Sequence, residues 1–187
     1  ESIRSVLGRS RTWSIVWFTT WQAVVSTLLT VIVGLVPAWV IARFDFAGRR
    51  ILLGLLTALF VLPTVVMGAA ILALLPDTLD RTVWAVLGAH VVFNLAVTVR
   101  AVGTVWEHLP ADMEDAAATL GAAPLVVFRE ITLPLIRPAV AAAAAIIFLF
   151  TFTSFGVIRV LGAPGTRTIE VEVWRRATQL GQVDQAA

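Results

Sequence analysis

Residues 12–42 read TWSIVWFTTWQAVVSTLLTVIVGLVPAWVIA, 31 positions without one charged side chain. At ~1.5 Å rise per residue a helix of this length more than crosses a ~30 Å hydrocarbon core. Trp13, Trp17 and Trp21 recur every fourth residue at one end, and Trp39 lies near the other. Along a helix Trp17 and Trp39 stand about 33 Å apart, the separation expected of two interfacial aromatic belts. The run therefore predicts a transmembrane helix, and the rest of the chain is written in the same composition.

Three more charge-free runs follow, at 51–75, 82–99 and 138–158, of 25, 18 and 21 residues. Hydrophobic residues make up 59% of the chain and charged residues 14%, with mean hydropathy +0.91. A soluble globule averages roughly 45–50% apolar and 25% charged, and four fully apolar helices would leave too little amphipathic surface to cover them in water. The fold class expected is all-α, a polytopic integral membrane protein with at least four spans, at about 13–42, 51–76, 82–106 and 135–160, in one transmembrane domain over 1–187. With no cysteine and two histidines, neither a disulfide framework nor a thiolate metal site is proposed, and no cofactor. All 14 basic residues are arginine, so no phosphate-binding glycine loop with its lysine is present. The arginines are scattered between apolar runs rather than gathered on one face, which argues for lipid headgroups and against nucleic acid as partner.

The short connections set the orientation. Arg43, Arg49 and Arg50 surround Gly48 between the first two spans, whereas Asp77, Asp80 and Arg81 lie between the next two. The positive-inside bias makes the first loop cytoplasmic and the second external. Arg4, Arg9 and Arg11 before span one, and Arg159, Arg167, Arg175 and Arg176 after span four, fall outside on that topology, but the bias weakens in longer segments. Residues 161–187 are then an external segment leading toward a further span. Starting at Glu1 and stopping at Ala187, the chain reads as part of a longer protein.

The stretch 107–134 differs in kind. Pro110 suits the first turn of a helix, Asp112, Glu114 and Asp115 complement its N-terminal dipole, and Gly121 is placed for a left-handed stop. Pro124 opens a second short helix, and Leu133-Pro134 breaks the pattern before the fourth span. Met113, Ala117 and Leu120 give the first helix one small apolar face. A helix, a glycine corner and a second helix at a membrane surface form a knob that another protein can grip.

Asp115-Ala116-Ala117-Ala118-Thr119-Leu120-Gly121-Ala122, followed by Ile131-Thr132-Leu133-Pro134, resembles the EAA loop of binding-protein-dependent ABC importer permeases: Glu-Ala-Ala, three residues, Gly, nine residues, Ile-x-Leu-Pro. The spacing matches throughout, and Asp115 stands where glutamate is usual. Phe18-Thr19-Thr20-Trp21-Gln22-Ala23 with Ser26-Thr27, Leu62-Pro63-Thr64-Val65-Val66, Phe152-Thr153-Ser154-Phe155-Gly156-Val157-Ile158 with Leu161-Gly162, and Thr168-Ile169-Glu170-Val171-Glu172-Val173 are similar to the N-terminal half of thiamine and iron(III) importer permeases. The resemblance covers roughly residues 17–187.

It implies a type I ABC importer permease core in a bacterial cytoplasmic membrane, with thiamine or ferric iron as cargo, or another small solute such as a polyamine, sulfate or molybdate. Its implied partners are a separate ABC ATPase, a second permease half, fused or separate, and an external substrate-binding protein. The coupling residues carried over are Asp115, Ala116, Ala117, Leu120, Gly121, Ala122, Leu133 and Pro134.

Candidates for the translocation path come from the spans. Pro63 removes a helix hydrogen bond, and Thr64 follows it; the alternative to a pathway break is a simple kink. His90 and Asn94 lie one turn apart on one face, where interhelical hydrogen bonding competes with substrate contact. Thr151, Ser154 and Phe155 close span four, although hydroxyls there can bond their own backbone. An intramembrane protease using Ser154 and His90 would need a base at ~2.6–3.2 Å and an oxyanion site. A passive channel would share the spans without needing the knob.

Overall fold

The computed structural model describes residues 10–163 and 165–179, so Arg4, Arg9 and the end of the expected external segment lie outside the described residues. The opening run becomes one helix, α1 (Ser10–Arg43). Its polar residues lie on the inward face: Thr19, Gln22, Ser26 and Thr30 are fully buried, while Trp17, Leu28, Ile32 and Val36 on the other side are 57–70% exposed. This inversion suits a helix whose outer face meets lipid, because polar groups in hydrocarbon must face protein or water.

The second apolar run does not form one helix. α2 (Arg49–Val61) and α3 (Thr64–Leu74) meet at 110°. Leu62 is extended (φ −61°, ψ 141°) and so is Pro63 (φ −56°, ψ 133°). Proline clashes with a helical conformation at the residue before it and has no N–H to give, so the chain turns there rather than kinks. Each half falls short of the ~20 residues that span a bilayer.

α4 (Val83–Glu107) is the central helix, opened by Thr82, whose hydroxyl accepts from the Ala85 N–H at 3.2 Å. At ~1.5 Å per residue it is about 37 Å long, and it separates the molecule into two ends. It packs against α1 along most of their length. Small residues permit the approach, since a Cβ on Gly34 would sit 2.7 Å from the Thr98 side chain and one on Gly103 would sit 3.5 Å from the Ala38 carbonyl.

Beyond α4 come α5 (Ala111–Thr119), α6 (Pro124–Val127), a π-helical turn (Phe128–Thr132) and α7 (Leu133–Phe152). The helix does not break at Leu133-Pro134 as its sequence suggests: 124–152 is continuous. The π-helical turn explains why. The Leu133 N–H reaches back five residues to the Phe128 carbonyl, and the widened turn makes room for Pro134, whose ring would clash with the Glu130 carbonyl in a regular α-helix. The Ala139–Ala145 run packs by only one face, with Ala143 buried among Val31, Ala38, Val102, Ile136 and Ile147 while Ala141 and Ala142 are exposed.

At its other end α7 stops at Phe152, short of the expected 160. The chain turns into α8 (Gly156–Leu161), then α9 (Ile169–Thr178). α8 packs on α3 through Gly156, where a Cβ would fall 2.8 Å from the Val65 amide nitrogen. The described residues thus hold three helices able to cross a membrane and one bent pair, all-α throughout.

Candidate functional site

Two places bring the sequence-predicted residues together: the knob at the C-terminal end of α4, and a polar seam between the spans. In the knob, α5 closes with a Schellman turn. The Gly121 N–H reaches the Ala118 carbonyl at 3.0 Å and the Ala122 N–H the Ala117 carbonyl at 3.1 Å. Gly121 has φ +85°, the left-handed conformation that a Cβ disfavours, although no atom would lie within 4 Å of that Cβ. The corner turns Leu120 (89% exposed) and, beyond it, Leu125 (75%) to the outside, beside exposed Asp115 and Ala116. Ala117, Ala122 and Leu133 are half-buried, and Pro134 is exposed.

What anchors the knob is Glu114, one residue before the motif's acid. Its Oε1 accepts from the Thr132 hydroxyl at 2.6 Å and ion-pairs with Arg43 Nη2 at 2.9 Å, while Arg43 Nη1 donates to the Leu109 carbonyl at 3.3 Å. One carboxylate therefore joins α5 to the end of α1 and to the π-helical turn. A second pair, Arg49 with Glu107 at 2.7 Å, ties α2 to α4. Asp115 makes no ion pair among the described residues and faces a cavity of about 590 Å³ with Val36, Trp39, Trp106 and Phe128. Glu114 lines the same cavity but is engaged by Arg43 and Thr132, as Asp115 is not. Nothing local in the sequence joins Arg43 to a residue 71 positions later; the only available signal was an arginine at a helix end facing an acid-rich first turn.

The seam runs across α1, α4 and the end of α7. His90 is its hub: Nδ1 lies 3.0 Å from the Ser26 hydroxyl and Nε2 lies 2.9 Å from the Ser154 hydroxyl. Gln22 donates to the Thr151 carbonyl at 2.9 Å, and the Thr151 hydroxyl bonds its own helix at the Ile147 carbonyl, 2.8 Å away. Asn94 does not join the other helices; its amide donates to the His90 carbonyl at 2.9 Å and its buried Oδ1 has no hydrogen-bond partner. Pro63 and Thr64 lie apart from this group, at the elbow of α2 and α3, with Thr64 against Gly156. The Phe155 ring packs at 58° to that of Trp174 of α9, with centres 5.8 Å apart. Gln22 and Ser26 were missed as site residues, yet Thr19, Gln22, Ser26 and Thr30 form a polar stripe at helical spacing inside a charge-free run, which was the signal.

The Ser154–His90 distance falls in the range a nucleophile and base require. However, the far ring nitrogen faces a serine hydroxyl rather than a carboxylate, and Ser154 is 6% exposed. The arrangement works as a tie between helices.

Residues 30–182 match the family described as binding-protein-dependent transport system inner membrane component. The thiamine transport system permease protein ThiP of Escherichia coli (strain K12) is 32% identical over 180 residues, 87% of this chain and 34% of that protein. The sulfate transport system permease protein CysT of Salmonella typhimurium is 32% identical over 149 residues, 73% of this chain and 54% of that protein. The chain spans between a third and about half of the length of these relatives. A crystal structure of a bacterial ABC transporter involved in the import of the acidic polysaccharide alginate shares the fold, with TM-score 0.67 at 19% identity, covering 95% of this chain and 62% of that one.

Proposed function

Because the chain belongs to the family of binding-protein-dependent transport system inner membrane components, we propose that it is one transmembrane half of an ATP-driven importer in a bacterial cytoplasmic membrane. The knob receives a separate cytoplasmic ATPase, a second permease half completes the path, and an external binding protein delivers the cargo at the opposite end. The observation that carries this reading is the Gly121 corner, a left-handed turn that presents Leu120 and Leu125 outward beside an acid without a partner. Apolar side chains this exposed at the surface of a well-anchored helix mark an interaction site. Because α5 is pinned to α1 by Arg43, and α6 beyond the Gly121 corner runs through the π-helical turn into α7, a push on the knob reaches both helices.

The reading is tested in the full transporter with Gly121→Asp and Asp115→Ala. Gly121→Asp is expected to insert normally, to recover little ATPase on co-purification, and to lose substrate-stimulated hydrolysis. Asp115→Ala should reduce recovery less, since the apolar contacts of Leu120 and Leu125 remain. Full ATPase recovery with undiminished transport in Gly121→Asp would refute the assignment. For cargo we favour thiamine, since relatives named for thiamine transport match 87% of this chain and the sulfate relative 73%. Uptake assays with the cognate binding protein decide it: sulfate uptake without thiamine uptake removes thiamine.

A further inference from the structure

At the end opposite the knob, we propose that the cleft between α8 and α9 is a binding site for a tetrahedral oxyanion of the phosphate class. The cleft has a volume of about 220 Å³ and is lined by Arg81, Arg159, Arg167 and Arg175, with Thr166 and Gln179 adding neutral donors. That volume suits one small anion with its water, not a protein segment.

The charge balance of the cleft carries the argument. Glu172 is the carboxylate that answers these arginines, and both of its oxygens are taken. Oε1 receives Arg175 Nη2 at 2.7 Å and Arg176 Nε at 3.0 Å; Oε2 receives Arg175 Nε at 3.0 Å and Arg167 Nη1 at 3.2 Å. Two of the guanidinium groups that line the cleft, Arg167 and Arg175, thus lean on the same carboxylate. Arg81 and Arg159 make no ion pair among the described residues, and the nearby acids Asp77 and Asp80 do not pair with them. Arg159 Cζ lies over the Trp174 ring, 4.9 Å from its centre, a contact that attracts the cation but adds no negative charge.

Arg81 is held in the left-handed region at φ +50°, uncommon for a residue with a side chain. Four guanidinium groups around one small space, two of them exposed, carry more positive charge than the Glu172 carboxylate offsets, which favours an anion between them. Arginine forks match the several acceptor oxygens of a phosphate better than a point-charge donor would. The shared chemistry has two sources, a free oxyanion or the phosphate of an anionic lipid headgroup, and the experiment separates them.

The test uses the full-length permease with its partners in nanodiscs. In discs of phosphatidylcholine alone, inorganic phosphate is titrated and followed by calorimetry. In discs containing phosphatidylglycerol, native mass spectrometry counts retained phosphatidylglycerol molecules. Binding in the first arm alone assigns a free oxyanion, in the second alone a lipid headgroup, and in both the shared site. In each case Arg81→Gln with Arg159→Gln should weaken binding by at least about ten-fold, the loss expected for charge-assisted hydrogen bonds. Arg50→Gln, at the other end of the molecule, should leave it unchanged. Should the double glutamine variant not be recovered folded, Arg81→Lys with Arg159→Lys keeps the charge, loses the forks and is expected to bind more weakly than the parent. Binding in neither arm, or binding that neither double variant alters, overturns the proposal. Because the Arg81 and Arg159 variants leave the knob untouched, ATPase recovery and hydrolysis report separately on the coupling role.

Discussion

The knob and the seam use the same kinds of side chain under opposite conditions. Glu114 and Arg43 pair near a surface, where water can replace a partner that leaves; their side chains are still 16–25% exposed, with Thr132 buried beneath them. Ser26, His90 and Ser154 bond inside the spans, where each of the three is at most 6% exposed. A partly exposed ion pair contributes roughly 0–1 kcal/mol, so the Arg43–Glu114 tie costs little to break. A buried donor without a partner costs about 1–3 kcal/mol, so the seam is held in one arrangement. The difference gives one region a tie that parts easily and the other the registration of the helices.

The largest test places the same substitution at the knob's corner and in the packed interior two residues beyond the seam's Ser154, where α8 meets α3. Gly156→Ala drives a Cβ into the backbone of α3, 2.8 Å from the Val65 nitrogen and 2.9 Å from the Thr64 carbonyl carbon, where neither side can yield. A destabilisation of about 2–3 kcal/mol is expected, read as earlier thermal unfolding in detergent. Gly121→Ala meets open space and is penalised only by its φ of +85°, so about 1 kcal/mol is expected there. Equal losses would erase the contrast between the two regions.

A smaller effect separates the two networks directly. His90→Leu leaves Ser26 and Ser154 to their own backbones and should cost about 1–2 kcal/mol. Glu114→Gln keeps the Thr132 bond, loses the Arg43 charge pair and should cost less than about 1 kcal/mol. Its double-mutant cycle with Arg43→Gln should show coupling, whereas a cycle of His90→Leu with Arg43→Gln should show none.

The smallest effect is local to α9 and depends on pH. Hydrogen bonds from Arg175 and Arg176 hold the Glu172 carboxyl at about 2, below its ordinary 4.5. A depressed value means that the attachment is fully present above about pH 4.5 and is lost as pH falls through about 2. Protection of the α9 amides, taken against unstructured peptide at the same pH, should therefore be steady from neutral pH down to that window and fall below it, and Arg175→Gln should move the fall to higher pH. A flat profile throughout would remove Glu172 as a stabiliser of α9.

The long helices, the knob and its glycine corner were legible because they rest on local signals: charge-free length, proline and acid at a helix start, glycine at its stop. Pro63 was legible as a disturbance but not as a 110° turn, because its angle is decided by what α3 packs on, and that partner, Gly156, lies more than ninety positions away. The reading of Leu133-Pro134 as a break failed because a proline can be accommodated by widening the turn before it, which no local pattern distinguishes from a stop. His90 was singled out for its chemistry, yet its partners on α1 were passed over, since serine and glutamine in an apolar run carry no charge to draw notice. Pairings such as Arg43 with Glu114 are products of the tertiary fold and have no local signature.

The π-helical turn makes the interval between Gly121 and Pro134 a matter of room as well as phase. Each residue added to or removed from a regular helix rotates everything after it by about 100°. The widened turn takes up one residue without that rotation, and Ile136, Ala143 and Ile147 point into the core. A chain one residue shorter between 128 and 132 would let that turn close to a regular α-helix and keep the core face near its angle, but would take from Pro134 the room that the widened turn provides. The interval thus holds one residue whose use is room rather than direction, and the length of the motif is as much a part of its meaning as its residues.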